Sequence, residues 1–141
     1  MATNPLTQLP GYLLRRASAW TMAALAKRLE EFELTPTEAS VLVVIASNPG
    51  IIQSEIGRML GIVSANMTPL VGRLEQRELV KRLPVDKRSF GLRTTRRGAA
   101  IADRAFTAMQ EQEDALIESV PAKNRATFLQ TLQDITSVLD E

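Results

Sequence analysis

Apolar residues recur at mixed three- and four-residue steps from Leu9 to Phe32: Leu13, Leu14, Ala17, Trp20, Ala24, Leu25 and Leu29. That period predicts a long amphipathic helix after Pro5 and Pro10. Its stripe is wide, so the helix is expected to have more than one buried face. Leu34-Thr35-Pro36-Thr37-Glu38 opens a second helix. Thr35 suits the N-cap, Pro36 fits the first helical position, and Glu38 stands where it completes a capping box. The helix runs through Val41-Leu42-Val43-Val44-Ile45 and stops at Asn48-Pro49-Gly50. Apolar nearly all round, it is expected to be the central core helix.

Gln53 to Leu60 predicts a short third helix, closed by Gly61 as a left-handed stop. Ser64 is the expected cap of a fourth helix reaching about Glu78, with Met67, Leu70, Val71 and Leu74 inward. Two short helices joined by Gly61-Ile62-Val63 have the shape of a helix-turn-helix. Leu79–Pro84 and Ser89–Thr95 predict two strands, with Val85-Asp86-Lys87-Arg88 as the turn of a basic-tipped hairpin. Thr95 then starts another helix, where Ala99, Ala102, Ala105 and Ala108 allow close helix approach. It is expected to end near Val120-Pro121. Pro121 opens a last helix with a stripe of Phe128, Leu132, Ile135 and Leu139.

The 141 residues fit one domain, 1–141, with no apolar run long enough for a membrane span and no signal-peptide pattern. The default expectation is a soluble cytoplasmic protein. With no His and no Cys, thiol nucleophiles, disulfides, His-based catalytic dyads and Cys/His zinc sites are excluded. No acid–base constellation and no EF-hand loop is found, so neither an enzyme nor a metal or other cofactor is expected. The net charge of +1 hides a strong asymmetry. Residues 1–57 carry four basic and five acidic side chains, 58–98 carry ten and three, and 99–141 carry three and eight. A basic centre between acidic ends points to a polyanionic partner, although a solvated charged face has the same composition.

Residues 53–98 resemble the winged helix-turn-helix of the MarR family of transcriptional regulators. Gln53-Ser54-Glu55-Ile56-Gly57-Arg58-Met59-Leu60-Gly61-Ile62 and Leu74-Glu75-Gln76-Arg77-Glu78-Leu79-Val80-Lys81-Arg82 carry the first part. Asp86-Lys87-Arg88-Ser89, followed by Thr95-Arg96-Arg97-Gly98, is similar to the family's wing signature. The resemblance implies an α+β, mostly α fold. Residues 34–98 would be the DNA-binding lobe, with 9–32 and 99–141 as dimerisation helices. Two departures stand out. Thr94 occupies a position where the family has Leu, and Pro69 lies inside the recognition helix, where many members have Arg. Pro69 predicts either a kink or a late helix start. Ser64-Ala65-Asn66-Met67-Thr68-Pro69 is similar to members linked to aromatic-compound catabolism.

A helix of this length can lie in a major groove. Its polar candidates are Ser64, Asn66, Thr68 and Arg73. Asn suits a bidentate contact to adenine, and Arg suits guanine or phosphate. Ser64 also reads as a plain N-cap, Thr68 as the cap of a helix restarted at Pro69, and Arg73 as a partner of a nearby acid. At the wing, Arg88 is the candidate for a narrow minor groove and Lys87 for phosphate. By resemblance Asp86 shapes the wing and holds Arg88. Arg96 and Arg97 oppose a helix dipole, which hints at a phosphate or a nearby carboxylate.

Tyr12, Arg16 and Trp20 share one helical face by their four-residue spacing. An aromatic wall beside a guanidinium suits an aromatic or acyl carboxylate; packing in a dimer interface accounts for the same residues. The reading of the whole is a homodimer that binds palindromic double-stranded DNA, a repressor released by a small organic anion. Its rivals are a ligand-independent repressor and a helical protein–protein interaction module with a basic face.

Overall fold

The computed structural model describes residues 1–87 and 89–138. A 3-10 turn at Pro5–Gln8 leads into α1, Pro10–Arg28. Leu29 caps α1, and the chain tightens into a second 3-10 turn, Glu30–Phe32. The single helix expected from Leu9 to Phe32 is thus broken at Leu29. Glu33 ends the turn in a left-handed conformation, with φ 54°.

Helix α2, Pro36–Ser47, begins as expected. The Thr35 hydroxyl accepts from the Glu38 amide at 3.2 Å, and the Glu38 carboxylate accepts from the Thr35 amide at 3.1 Å. Glu38, Ala39, Val41, Leu42 and Ile45 are buried, whereas Val43 and Val44 are only half-buried. The helix is central without being enclosed all round.

Strand β1, Ile51–Ile52, was not foreseen, because two residues carry no readable alternation. Helix α3 follows at Gln53–Leu60, ended by Gly61 at φ 67°. Helix α4 spans Ser64–Gln76. Here two sequence expectations fail. Val63, in extended conformation, is the N-cap, and Ser64 is already inside the first turn with no capping bond from its side chain. Nor is the helix restarted at Pro69: it runs unbroken through that residue, ending two residues short of Glu78. Pro69 therefore leaves the Ala65 carbonyl without its helical donor.

Strands β2, Val80–Pro84, and β3, Phe90–Thr94, form the expected hairpin. All three strands are antiparallel, in the order β1-β3-β2. Ile51 pairs with Leu92, and the hairpin register runs from Val80 opposite Thr94 to Pro84 opposite Phe90. Helix α5, Arg96–Glu118, is capped by the Thr95 hydroxyl, which accepts from the Gly98 amide at 2.9 Å. The last helix does not open at Pro121. A 3-10 turn at Ala122–Asn124 intervenes, and α6 spans Arg125–Ser137.

The core gathers Leu42 and Ile45 of α2, Ile56 of α3, Met67, Val71 and Leu74 of α4, and Leu79 and Leu92 of the sheet. Each such side chain contributes roughly 1.5–3 kcal/mol when fully buried. This core lies under the α3–α4 pair and fixes its outward face. By contrast, α1 and α6 bury no residue within the chain. Leu9, Leu13, Leu14, Leu129 and Ile135 are all exposed, and Phe128 and Leu132 are half-buried. Leu139, the end of the expected stripe, lies outside the described residues.

Candidate nucleic-acid interface

Close packing sets the geometry of α3 and α4. A Cβ on Gly57 would lie 2.8 Å from the Ile62 carbonyl oxygen, so glycine permits the tight turn. The Ile62 amide in turn donates to the Gly57 carbonyl at 2.8 Å. Met67, Leu70, Val71 and Leu74 anchor α4 inward, as their spacing predicted. The opposite side exposes Ala65, Asn66, Pro69, Gly72 and Gln76. Ala65, Pro69 and Gly72 carry no long side chain, so a partner surface can approach the backbone closely here. A Cβ on Gly72 would meet nothing within 4 Å, so packing within the chain does not require this glycine.

The four candidates on α4 occupy different environments. Ser64 and Asn66 are exposed at its first turn, and the Asn66 amide makes no side-chain hydrogen bond among the described residues. Thr68 is engaged: its hydroxyl accepts from Gln53 Nε2 at 3.1 Å and donates to the Ser64 carbonyl at 3.4 Å. It therefore braces Gln53 of α3 against α4. Arg73 places its Nε 3.5 Å from Glu38 Oε2, the carboxylate that also completes the α2 capping box. The acid beside Arg73 is thus a distant one in sequence.

At the wing, Asp86 Oδ1 accepts from both the amide and the hydroxyl of Ser89, each at 2.9 Å. This double acceptance closes the hairpin turn. Lys87 is exposed at the tip. Arg88, the minor-groove candidate, lies outside the described residues. Arg82 donates to Glu75 at 2.8 Å and ties the wing to α4. Arg96 and Arg97 are exposed at the start of α5, and Lys81 lies directly across from Arg93 in the hairpin, both exposed. Like charges opposite one another disfavour a strand pair unless an anion offsets them. The recognition face, the wing tip and these cations all belong to the lobe that bears the positive charge excess.

A second feature is an open cleft of about 380 Å³ between α1 and α5, lined by Trp20, Ala24, Lys27, Arg28, Gln112 and Ala115. Trp20 is 57% exposed and forms one wall. Gln112 is only 4% exposed. Its Oε1 accepts from Arg28 Nε at 3.0 Å, while its Nε2 is buried with no partner among the described residues. Such an orphaned donor costs about 1–3 kcal/mol until something accepts from it. Of the three candidates on α1, only Trp20 lines this cleft. The Tyr12 hydroxyl accepts from Asn4 Nδ2 at 3.0 Å, and Arg16 is exposed outside the lining. Lys27, Arg28 and Gln112 were missed in the sequence. Gln112 stands one further step along the Ala102-Ala105-Ala108 stripe, and a polar residue at that step was the available signal.

Residues 32–89 match the MarR family. Among solved structures, the transcriptional repressor CouR bound to a 23-mer DNA duplex is 34% identical, with a TM-score of 0.86, covering 96% of this chain and 98% of that one. CouR bound to p-coumaroyl-CoA is 32% identical, with a TM-score of 0.84 over 96% and 97% of the two chains. The MepR–DNA complex of S. aureus shares the fold at 20% identity, with a TM-score of 0.83 over 92% and 97%.

Proposed function

The chain belongs to the MarR family of DNA-binding transcriptional regulators, and from that premise we propose that it is a dimeric repressor of palindromic operators, released by an aromatic acyl thioester or carboxylate. The observation that carries the DNA-binding part is the shape of the α4 outer face beside the wing. That face belongs to a fold matching DNA-bound CouR nearly end to end. In this reading Asn66 contacts a base edge, Ser64 and Lys87 contact phosphate, and Asp86 holds the wing in register. Arg88 is assigned to the minor groove on its sequence alone. Arg73 reaches phosphate only by sharing or leaving Glu38. Thr68 acts by bracing Gln53, which becomes a further candidate at the interface.

Specific and general contacts separate cleanly by substitution. Asn66→Ala should weaken operator binding by roughly 1–3 kcal/mol and leave random duplexes unaffected. Lys87→Ala should weaken all duplexes alike and reduce the salt slope by about one unit. Both are read by fluorescence anisotropy at several salt concentrations. Equal loss on all sequences for Asn66→Ala would remove it from base readout.

For the effector, the cleft beside Trp20 is the proposed site. Trp20 offers a stacking wall, Lys27 and Arg28 offer cations, and Gln112 Nε2 awaits an acceptor such as a carbonyl oxygen. Relative to the sequence reading, Arg28 takes the role assigned to Arg16. CouR bound to p-coumaroyl-CoA suggests the ligand class to try first. Trp20 is the chain's single tryptophan, so its emission reports this cleft alone. Titration with p-coumaroyl-CoA should change that emission saturably and release the protein from DNA. Gln112→Leu should weaken the response about tenfold, the effect of about one hydrogen bond. An unchanged affinity in Gln112→Leu would place the ligand elsewhere.

A further inference from the structure

The recognition helix carries arginines at 73 and 77, one turn apart, and both reach the corner where α1 gives way to α2. Arg77 NH1 donates to the Glu33 carbonyl at 2.6 Å, and NH2 donates to the Phe32 carbonyl at 2.8 Å. These carbonyls lie at the end of the 3-10 turn that the left-handed Glu33 terminates. The Arg77 side chain is only one-quarter exposed, so water competes weakly for this fork. One turn earlier, Arg73 meets Glu38 at the start of α2.

The same corner is gripped from its other side by α5. The Arg104 guanidinium sits 5.0 Å from the centre of the Phe32 ring and 3.5 Å from the Glu31 carboxylate. At the end of α1, Arg28 donates to Gln112 and Glu111 of α5. Phe32 itself is buried. The corner is therefore a joint, with α1 and α5 on one side and α4 on the other.

Helix α4 also rests on the core through Met67, Leu70, Val71 and Leu74. Such apolar contacts fix its depth but are non-directional. A planar guanidinium bonded to two acceptors at once fixes distance and angle together. Arg77 makes those bonds at the C-cap of α4, far along the helix from the candidate DNA contacts at Ser64 and Asn66.

We propose that Arg77 is a positioning residue for operator recognition. It sets the angle of the recognition helix against the dimerisation helices, and so the half-site spacing the dimer accepts, without touching DNA. The inference goes beyond the function proposed above and rests on its dimeric reading, because spacing is defined only between two recognition helices.

The test is selection of bound sequences from a random duplex library by wild type, Arg77→Met and Arg77→Lys. Methionine retains much of the apolar stem and removes the donors. Wild type is expected to select paired half-sites at one spacing. Arg77→Met should select two or more spacings. Its preference for the wild-type spacing over one shifted by a base pair should fall at least about tenfold, the lower range for losing charge-assisted bonds. Its affinity for random duplex and its salt slope should match wild type, which a lost phosphate contact would not allow. Arg77→Lys, keeping the charge and an N–H donor group but not the planar fork that reaches both carbonyls, should fall between the two and carries the test if the methionine variant does not fold. The proposal is overturned if the variants keep a single spacing with wild-type preference. It is equally overturned if they lose random-duplex affinity in the same proportion. Unpaired half-sites from wild type would instead overturn the dimeric reading, and the inference with it.

Discussion

Gly98→Ala is expected to lower the stability of the chain by roughly 3 kcal/mol, the upper range for forcing an extra carbon into a packed site. A Cβ at this position would collide with the carbonyl oxygen of Leu79, and would lie 2.7 Å from its carbonyl carbon. Both are backbone atoms and cannot rotate away. That carbonyl is already held by the Thr95 amide at 3.0 Å, while the Thr95 hydroxyl donates to the Glu78 carbonyl at 2.7 Å. The wing base and the start of α5 are thus locked through two or three atoms, and the added methyl group must part them. Thermal unfolding should show a fall in Tm of about 10 °C. Gly72→Ala is the internal control: its Cβ would meet open space, so the helix should gain about 1 kcal/mol. Equal Tm values for wild type and Gly98→Ala would refute the packing described.

The second large effect concerns assembly. Leu13 on α1 and Ile135 on α6 are 48% and 46% exposed in the single chain, on helices with no fully buried residue. Exposed apolar faces of this extent mark interfaces. The proposed occupant is a second copy, because the remaining helices already share one core. Leu13→Asp with Ile135→Asp should leave the helical circular dichroism intact and shift the sedimenting species from dimer to monomer. A monomer contacts one half-site only. Operator affinity should therefore drop at least roughly a hundredfold, the lower range of what linking two sites contributes. A double variant that sediments as a dimer with wild-type affinity would move the interface elsewhere.

Local chemistry was legible in the sequence; distant pairing was not. Both arms of the Thr35–Glu38 capping box form, and Thr95 caps α5, because a cap is decided within four residues. The inward row of α4 follows from period alone. Ser64 misled because Val63, already extended, took the cap and left the hydroxyl inside the first turn. Strand β1 escaped because two residues are made a strand only by β3, forty residues away. For the candidate sites the limit is the same. Asn66 and Lys87 stand exposed where spacing put them. The pairing of Arg73 with Glu38, of Arg77 with Phe32 and Glu33, and of Arg28 with Gln112 joins residues 35 to 84 positions apart. No local pattern announces such partners, and they decide which arginines are committed within the fold. The Thr95-to-Gly98 spacing was visible as a motif, but its cause, the Leu79 carbonyl, required the fold.

The central claim is that this chain binds palindromic operator DNA as a dimer. The most direct test is sedimentation velocity with a labelled palindromic duplex selected from a random library, at 150 mM salt. The account predicts one boundary containing two chains per duplex, at protein concentrations where a shuffled duplex of equal length remains free. A complex of one chain per duplex, or equal binding to the shuffled duplex, would contradict it.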